Sequence, residues 1–255
     1  MLLRHVTPAI VLRTWPFGES DKIVSFLTEN HGKLTGIAKG AKRSRKRFVN
    51  SLEPFSLVNL RFQDRAYSNL AFIVAADLTF GFKHLLTSLE KISFASYLVE
   101  ITDGLIGERE ENRLVFLHLK DGLTHLEEQS TSLTFLTSFE LKLLKLAGYQ
   151  PLLEGCRRCG RERRDRCATR WHFSPRDGGI LCESCSRLRK EIFSLSAATL
   201  EILINLQGEQ NMPASDISLP TGVLREIRSV VVRFIEFHMD REIKSATFLN
   251  QFALA

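Results

Sequence analysis

Four cysteines form two Cys-x2-Cys pairs, Cys156-Arg-Arg-Cys159 and Cys182-Glu-Ser-Cys185. Each such segment folds into a tight knuckle that offers two thiolates to one ion, and two knuckles about twenty residues apart close a tetrahedral shell. A shell of four protein sulfurs leaves no position open for water or substrate. The expected ion is therefore one structural Zn2+, which braces a fold and performs no chemistry. Two disulfides are the competing reading. The N-terminus lacks the charged and apolar regions of an export signal, and reducing compartments disfavour disulfides. The fifth cysteine, Cys167, lies between the knuckles beside Arg166 and near Arg170. Such neighbours lower a thiol pKa, but no catalytic motif surrounds it.

The second constellation is positive. Lys39, Lys42, Arg43, Arg45, Lys46 and Arg47 fall within nine residues. Six like charges repel one another, so the run is not expected to pack well by itself. Phosphates would neutralise it and release counterions, a salt-sensitive source of affinity. Ser44 and the Gly40 and Ala41 amides add phosphate donors. Arg61 and Arg65 extend the same surface. Phe17, Phe48 and Phe62 are candidate base-stacking planes, although strand aromatics are more often core. The bland alternative is a solvated loop. A further set, Arg157, Arg158, Arg161, Arg163, Arg164, Arg166 and Arg170, surrounds the cysteines without a lysine. The planar guanidinium suits phosphate and bases; solubility alone is the other reading.

The net charge of +6 is unevenly spread. Residues 1–80 hold twelve Lys/Arg against six Asp/Glu and residues 153–190 eleven against five, while 81–152 and 191–255 are each net acidic by three. Clustered positive charge is the footprint of a polyanion partner. The chain is 44% hydrophobic and 25% charged, as globular proteins are, and no apolar run is long enough to span a bilayer. It is expected to be soluble and intracellular. There is no Gly-x-x-x-x-Gly-Lys-Ser/Thr loop, no Gly-x-Ser-x-Gly elbow and no His-Glu-x-x-His helix, and the seven histidines are scattered. A non-enzymatic protein is expected.

The elements that must position these residues change character along the chain. Five short apolar stretches, Ala9–Phe17, Ile23–Thr28, Leu34–Ala38, Phe55–Phe62 and Leu70–Leu78, predict a small barrel, with the five-stranded OB-type barrel preferred. The Lys39–Arg47 run leaves the third strand at its rim. From about residue 83 the apolar period becomes helical: Leu85, Leu89, Ile92, Ala95 and Val99, with Gly104 as the cap, then Leu114–Leu119, then Leu133–Leu146, stopped by Gly148 and Pro151. Glu110-Glu111 reads as a helix first turn. Leu200 and Leu203 mark a short helix, and Val223–His238 a longer one. The expected organisation is α+β and multidomain: an OB barrel at 1–80, the first part of a helical domain at 81–152, a four-cysteine zinc insertion at 153–190 and the second helical part at 191–255.

The combination resembles the RecO family of DNA repair and recombination mediators over the whole chain. The resemblance is carried by Pro8-Ala-Ile-Val-Leu-Arg13 with Gly18-Glu-Ser-Asp21, by Gly36-Ile-Ala-Lys-Gly-Ala-Lys-Arg43, and by Phe139-Glu-Leu-Lys-Leu-Leu144 leading to Gly148-Tyr-Gln-Pro151. That last element runs into Cys156-x2-Cys159-Gly160, and Lys244-Ser245 with Phe248-Leu249 closes the pattern. It implies binding of single- and double-stranded DNA, annealing of complementary strands, and help in loading a recombinase onto DNA coated by single-strand-binding protein. Implied partners are RecR and the acidic, apolar C-terminal tail of that protein, and the implied location is the cytoplasm, at the nucleoid. Two readings of other classes stand beside it: a zinc-containing assembly adaptor that does not touch DNA, and an RNA-directed enzyme with Cys167 as nucleophile.

Overall fold

The computed structural model describes residues 4–163, 170–208 and 219–253, with side chains as far as Leu249. Arg164, Arg166 and Cys167 lie outside the described residues. The chain divides into two compact units, residues 1–129 and 130–255.

In the first unit β1 (Arg4–Phe17), β2 (Asp21–Thr28), β3 (Lys33–Ala38), β4 (Leu57–Arg65) and β5 (Ser68–Phe80) close a barrel in the order β1-β2-β3-β5-β4. Only the β3–β5 seam is parallel. This is the expected OB-type barrel. β1 serves two partners: Arg4–Ile10 pairs with β4, and Ala9–Phe17 with β2. An irregularity between Val11 and Arg13 lets the strand turn from one to the other. Alternation then fills the lumen with Ala9, Val11, Val24, Phe26, Leu34, Leu60, Phe62 and Ile73. Phe48 and Leu52, from the β3–β4 connection, join the same core.

Two helices follow, α1 (Leu89–Leu105) and α2 (Arg113–Glu128), packed on each other and against β1. The Ser88 and Asn112 side chains accept the Lys91 and Val115 N–H groups, satisfying donors that a helix start leaves free. Three expectations need correction here. Leu85 lies in a short 3-10 turn (Leu85–Thr87) ahead of α1, because the Glu127 carboxylate captures the His84 and Leu85 N–H groups. Gly104 is inside α1, not its cap. Glu110-Glu111 precedes the Asn112 cap, and the Glu110 carboxylate accepts the Gly107 N–H.

The second unit holds α3 (Leu133–Leu146), which stops at Gly148 with φ of 81°, and a small sheet. That sheet orders β6 (Trp171–Ser174), β7 (Gly179–Cys182) and β8 (Phe193–Leu195) as β7-β6-β8. The unit also holds α4 (Glu183–Ser186), which packs on β6 and β7, α5 (Ala197–Gly208), α6 (Thr221–Met239), which meets β8, and α7 (Lys244–Ala253). α3, α5 and α6 pack against one another, and Phe173 of β6 meets Phe234 of α6 edge to face at 5.2 Å. Arg228 of α6 donates to Glu140 of α3 in the interior. The sheet and α7 were not anticipated: four- and three-residue strands are too short to show a period.

Candidate nucleic-acid interface and metal centre

The basic run is a built segment. Gly40 takes the left-handed conformation, with φ of 68°, and opens a 3-10 turn over Ala41–Arg43. Asp21 Oδ1 accepts the Gly40 N–H at 2.8 Å, and the Ser20 carbonyl accepts the Lys42 N–H at 2.9 Å. Lys42 Nζ donates to the Gly18 carbonyl, and Arg47 donates to the Lys39 carbonyl, each within 2.8 Å. The Arg47 carbonyl accepts the Ala76 N–H of β5 at 3.0 Å. The next residue, Phe48, carries the Arg47 guanidinium 5.0 Å from its ring centre and is buried in the barrel. So the backbone of the run, which was not expected to pack well by itself, is held in place by two apolar plugs and the β1–β2 turn, and the Lys42 and Arg47 side chains are tied down with it.

All six cations, Lys39, Lys42, Arg43, Arg45, Lys46 and Arg47, are exposed. Among the described residues none of the six forms an ion pair. Elsewhere on this unit the pattern is different: Arg13, Lys22, Lys33, Arg61, Arg109 and Arg113 each meet a carboxylate. Arg61 is exposed on β4 and paired with Asp77 at 3.0 Å, and Asp77 follows Ala76, to which Arg47 bonds. Arg65 is exposed at the end of β4. Of the candidate stacking rings, Phe17 is 50% exposed, whereas Phe62 and Phe48 are at 0% and 5%. Those two are core, because they fall on the inward phase of β4 and on the plug.

In the second unit the four cysteines converge. Their sulfurs all lie within 4.8 Å of one another, and Cys159 Sγ is 3.8 Å from Cys182 Sγ. Four sulfurs at about 2.3 Å from one tetrahedral ion are about 3.8 Å apart, so the quartet fits such an ion. The first knuckle is shaped by the Cys156 N–H bond to the Arg161 carbonyl and by Gly160, whose N–H returns to the Cys156 carbonyl with φ of 71°. The second begins where β7 ends at Cys182, the residue that precedes α4. Gly179 opens β7 beside Leu152, and a Cβ there would lie 2.3 Å from the Leu152 carbonyl oxygen. Burial raises the Cys156 thiol, but N–H donation from Cys159, Cys182 and Arg158 outweighs it and lowers the thiol to about 6. Burial and its position as hydrogen-bond donor to the other sulfurs push Cys185 up to about 12. Around the quartet Arg157, Arg158, Arg161 and Arg170 are exposed, and Arg163 pairs with Glu201 at 2.6 Å.

The sequence reading missed what fixes the basic run: Asp21 as its cap and Leu52 as its plug. A lone Asp after Gly-Glu-Ser gives no signal of a partner nineteen residues away.

An OB-type barrel with a fixed, unpaired basic segment, followed by helices that flank a four-cysteine centre, defines the class of protein. Comparison with known sequences gives the family. Residues 1–82 match the model "Recombination protein O N terminal" and residues 86–247 match "Recombination protein O C terminal". The DNA repair protein RecO of Syntrophus aciditrophicus is 34% identical over 97% of this chain and 95% of its own length. Those of Caldanaerobacter subterraneus and Myxococcus xanthus are 31% and 32% identical over at least 95% of both chains. The chain belongs to the RecO family of DNA repair proteins. No described helix is long and apolar enough to cross a membrane.

Proposed function

We propose that this protein is a recombination mediator that works without catalysing a covalent step. It binds single- and double-stranded DNA through Lys39, Lys42, Arg43, Arg45, Lys46, Arg47 and Arg61 and anneals complementary strands. It also helps load a recombinase onto DNA coated by single-strand-binding protein. Its partners are RecR and the C-terminal tail of the single-strand-binding protein, and it acts in the cytoplasm at the nucleoid. The ion of the cysteine quartet is one structural Zn2+.

The observation that carries the reading is the contrast in pairing: the run keeps six exposed cations without carboxylates on a backbone held by hydrogen bonds and plugs. A fixed, unneutralised array suits phosphates, since little ordering entropy is lost on binding. Backbone contacts leave base edges free, and positive charge offsets the repulsion between two strands, so base pairing itself drives annealing. The quartet holds the knuckles against β7 and supplies folding free energy, with no open position for a substrate.

The test is DNA binding across a salt series with strands of unrelated sequence. The reading predicts affinity that tolerates sequence and falls steeply as salt rises. Tight partner binding with no DNA binding at low salt would point to an adaptor instead.

A further inference from the structure

Directly opposed residues on neighbouring strands share a face. In this barrel the register carries one row across four strands: Trp15 faces Ile23, Ile23 faces Ile37, and Ile37 faces Phe72. The residues that alternate with them, Val24, Ala38, Ala71 and Ile73, fill the lumen, so this row lies on the outer wall. Trp15 is 39% exposed, Ile23 and Phe72 are half-buried, and Ile37 is buried. Three interstrand steps set the Trp15 and Phe72 backbone positions about 14 Å apart.

The row borders the basic run. Lys39 follows β3 two residues after Ile37, and Phe17, two residues beyond Trp15, faces Asp21, which caps Gly40. Exposed aromatics beside unpaired cations match a ligand with flat apolar faces and a negative backbone. A single strand offers both, whereas a duplex hides its base faces in the stack. A base lying flat on a ring also keeps its pairing edge outward, which annealing requires.

We infer that the row Trp15–Ile23–Ile37–Phe72 is a base-stacking platform for single-stranded DNA, with Trp15 and Phe72 as the stacking planes and the Lys39–Arg47 run as the phosphate clamp. The inference rests on the DNA-binding reading above and adds to it a reason to discriminate single strands from duplex.

The experiment measures binding of a fluorescein-labelled oligothymidylate, and of a duplex, to the full chain and to Trp15→Leu, Phe72→Leu and Trp15→Phe. The leucine variants keep the wall apolar and remove the flat ring. Each should weaken single-strand binding roughly tenfold and leave duplex affinity and the salt slope unchanged. Trp15→Phe should retain affinity. The only other tryptophan, Trp171, is 6% exposed, so quenching of tryptophan emission by the oligonucleotide should come from Trp15 and vanish in Trp15→Phe. Unchanged single-strand affinity in both leucine variants, or an equal loss on duplex, overturns this inference alone. Absence of all DNA binding by the unaltered chain overturns it together with the proposed function.

Discussion

Asp21 Oδ1 accepts the Gly40 N–H at 2.8 Å, tying the turn after β1 to the first residues of the basic run. Nineteen positions separate them in the sequence, yet this bond anchors the start of the run that carries six cations. The Gly40 N–H is also the main cause that holds the Asp21 carboxyl below its ordinary 3.8. The Ser20 hydroxyl comes next, slight burial opposes both, and Lys39 and Lys42 add to the lowering.

A carboxylate lowered on folding contributes stability that is fully present above its unfolded pKa and is lost as pH falls through the folded value. Asp21→Asn should therefore unfold at lower urea than the unaltered chain near neutral pH, with the gap narrowing as pH falls below the ordinary carboxyl value of 3.8. Paired urea titrations over pH check this. A gap that widens in acid would reverse the assignment.

Replacing Lys42, Arg43, Arg45, Lys46 and Arg47 together by Ala should leave the barrel folded, since Phe48 and Leu52 still plug it. If most of the five touch phosphates, the salt slope of DNA binding should fall by about 3–4 in log–log units. Fluorescence anisotropy over a salt series measures it. An unchanged slope would remove this run from the interface.

Cys156→Ser should lower metal content and melt the knuckles, because a structural ion's binding free energy, on the order of 10 kcal/mol, is folding free energy. Metal analysis and protease sensitivity read both effects. Protons compete with the ion for sulfur, so metal retention should weaken as pH falls. Because only thiolates ligate, loading metal-free protein with Zn2+ at neutral pH should release thiol protons, with Cys185, whose thiol burial pushes up, among their sources. A pH indicator follows the release. Full metal content in Cys156→Ser would show that the ligand set is wrong.

The Glu140–Arg228 pair joins α3 to α6 with Glu140 at 0% and Arg228 at 6% exposure. Removing Glu140 takes a carboxylate away from the buried Arg228 guanidinium, so Glu140→Ala should destabilise the chain, by up to about 3–5 kcal/mol. Replacing both by apolar residues of similar volume should cost far less. Urea unfolding of the three chains tests it; equal losses would show that packing, not charge, sets the cost.

Much of this fold was legible because its signals are local. Short apolar stretches without a helical period gave all five barrel strands, and the two Cys-x2-Cys pairs gave the quartet that the structure draws together. Leu133–Leu146 and its Gly148 stop were readable from a helical period and a glycine. What was hidden depends on distant partners. Glu127 diverts the start of α1 from Leu85, and β6, β7 and β8 exist only by pairing with one another. The Trp15–Phe72 row needs the register of four strands, which no single stretch of sequence contains. Phe48 and Phe62 looked like stacking candidates because the lumen phase is invisible until the barrel closes.

The central claim is best tested by the rate at which complementary strands coated with single-strand-binding protein anneal, measured across a salt series with the full chain and the five-alanine variant. The account predicts fast annealing by the full chain that slows as salt rises, and little acceleration by the variant. Annealing no faster than the uncatalysed reaction, or equal acceleration by both chains, would contradict it.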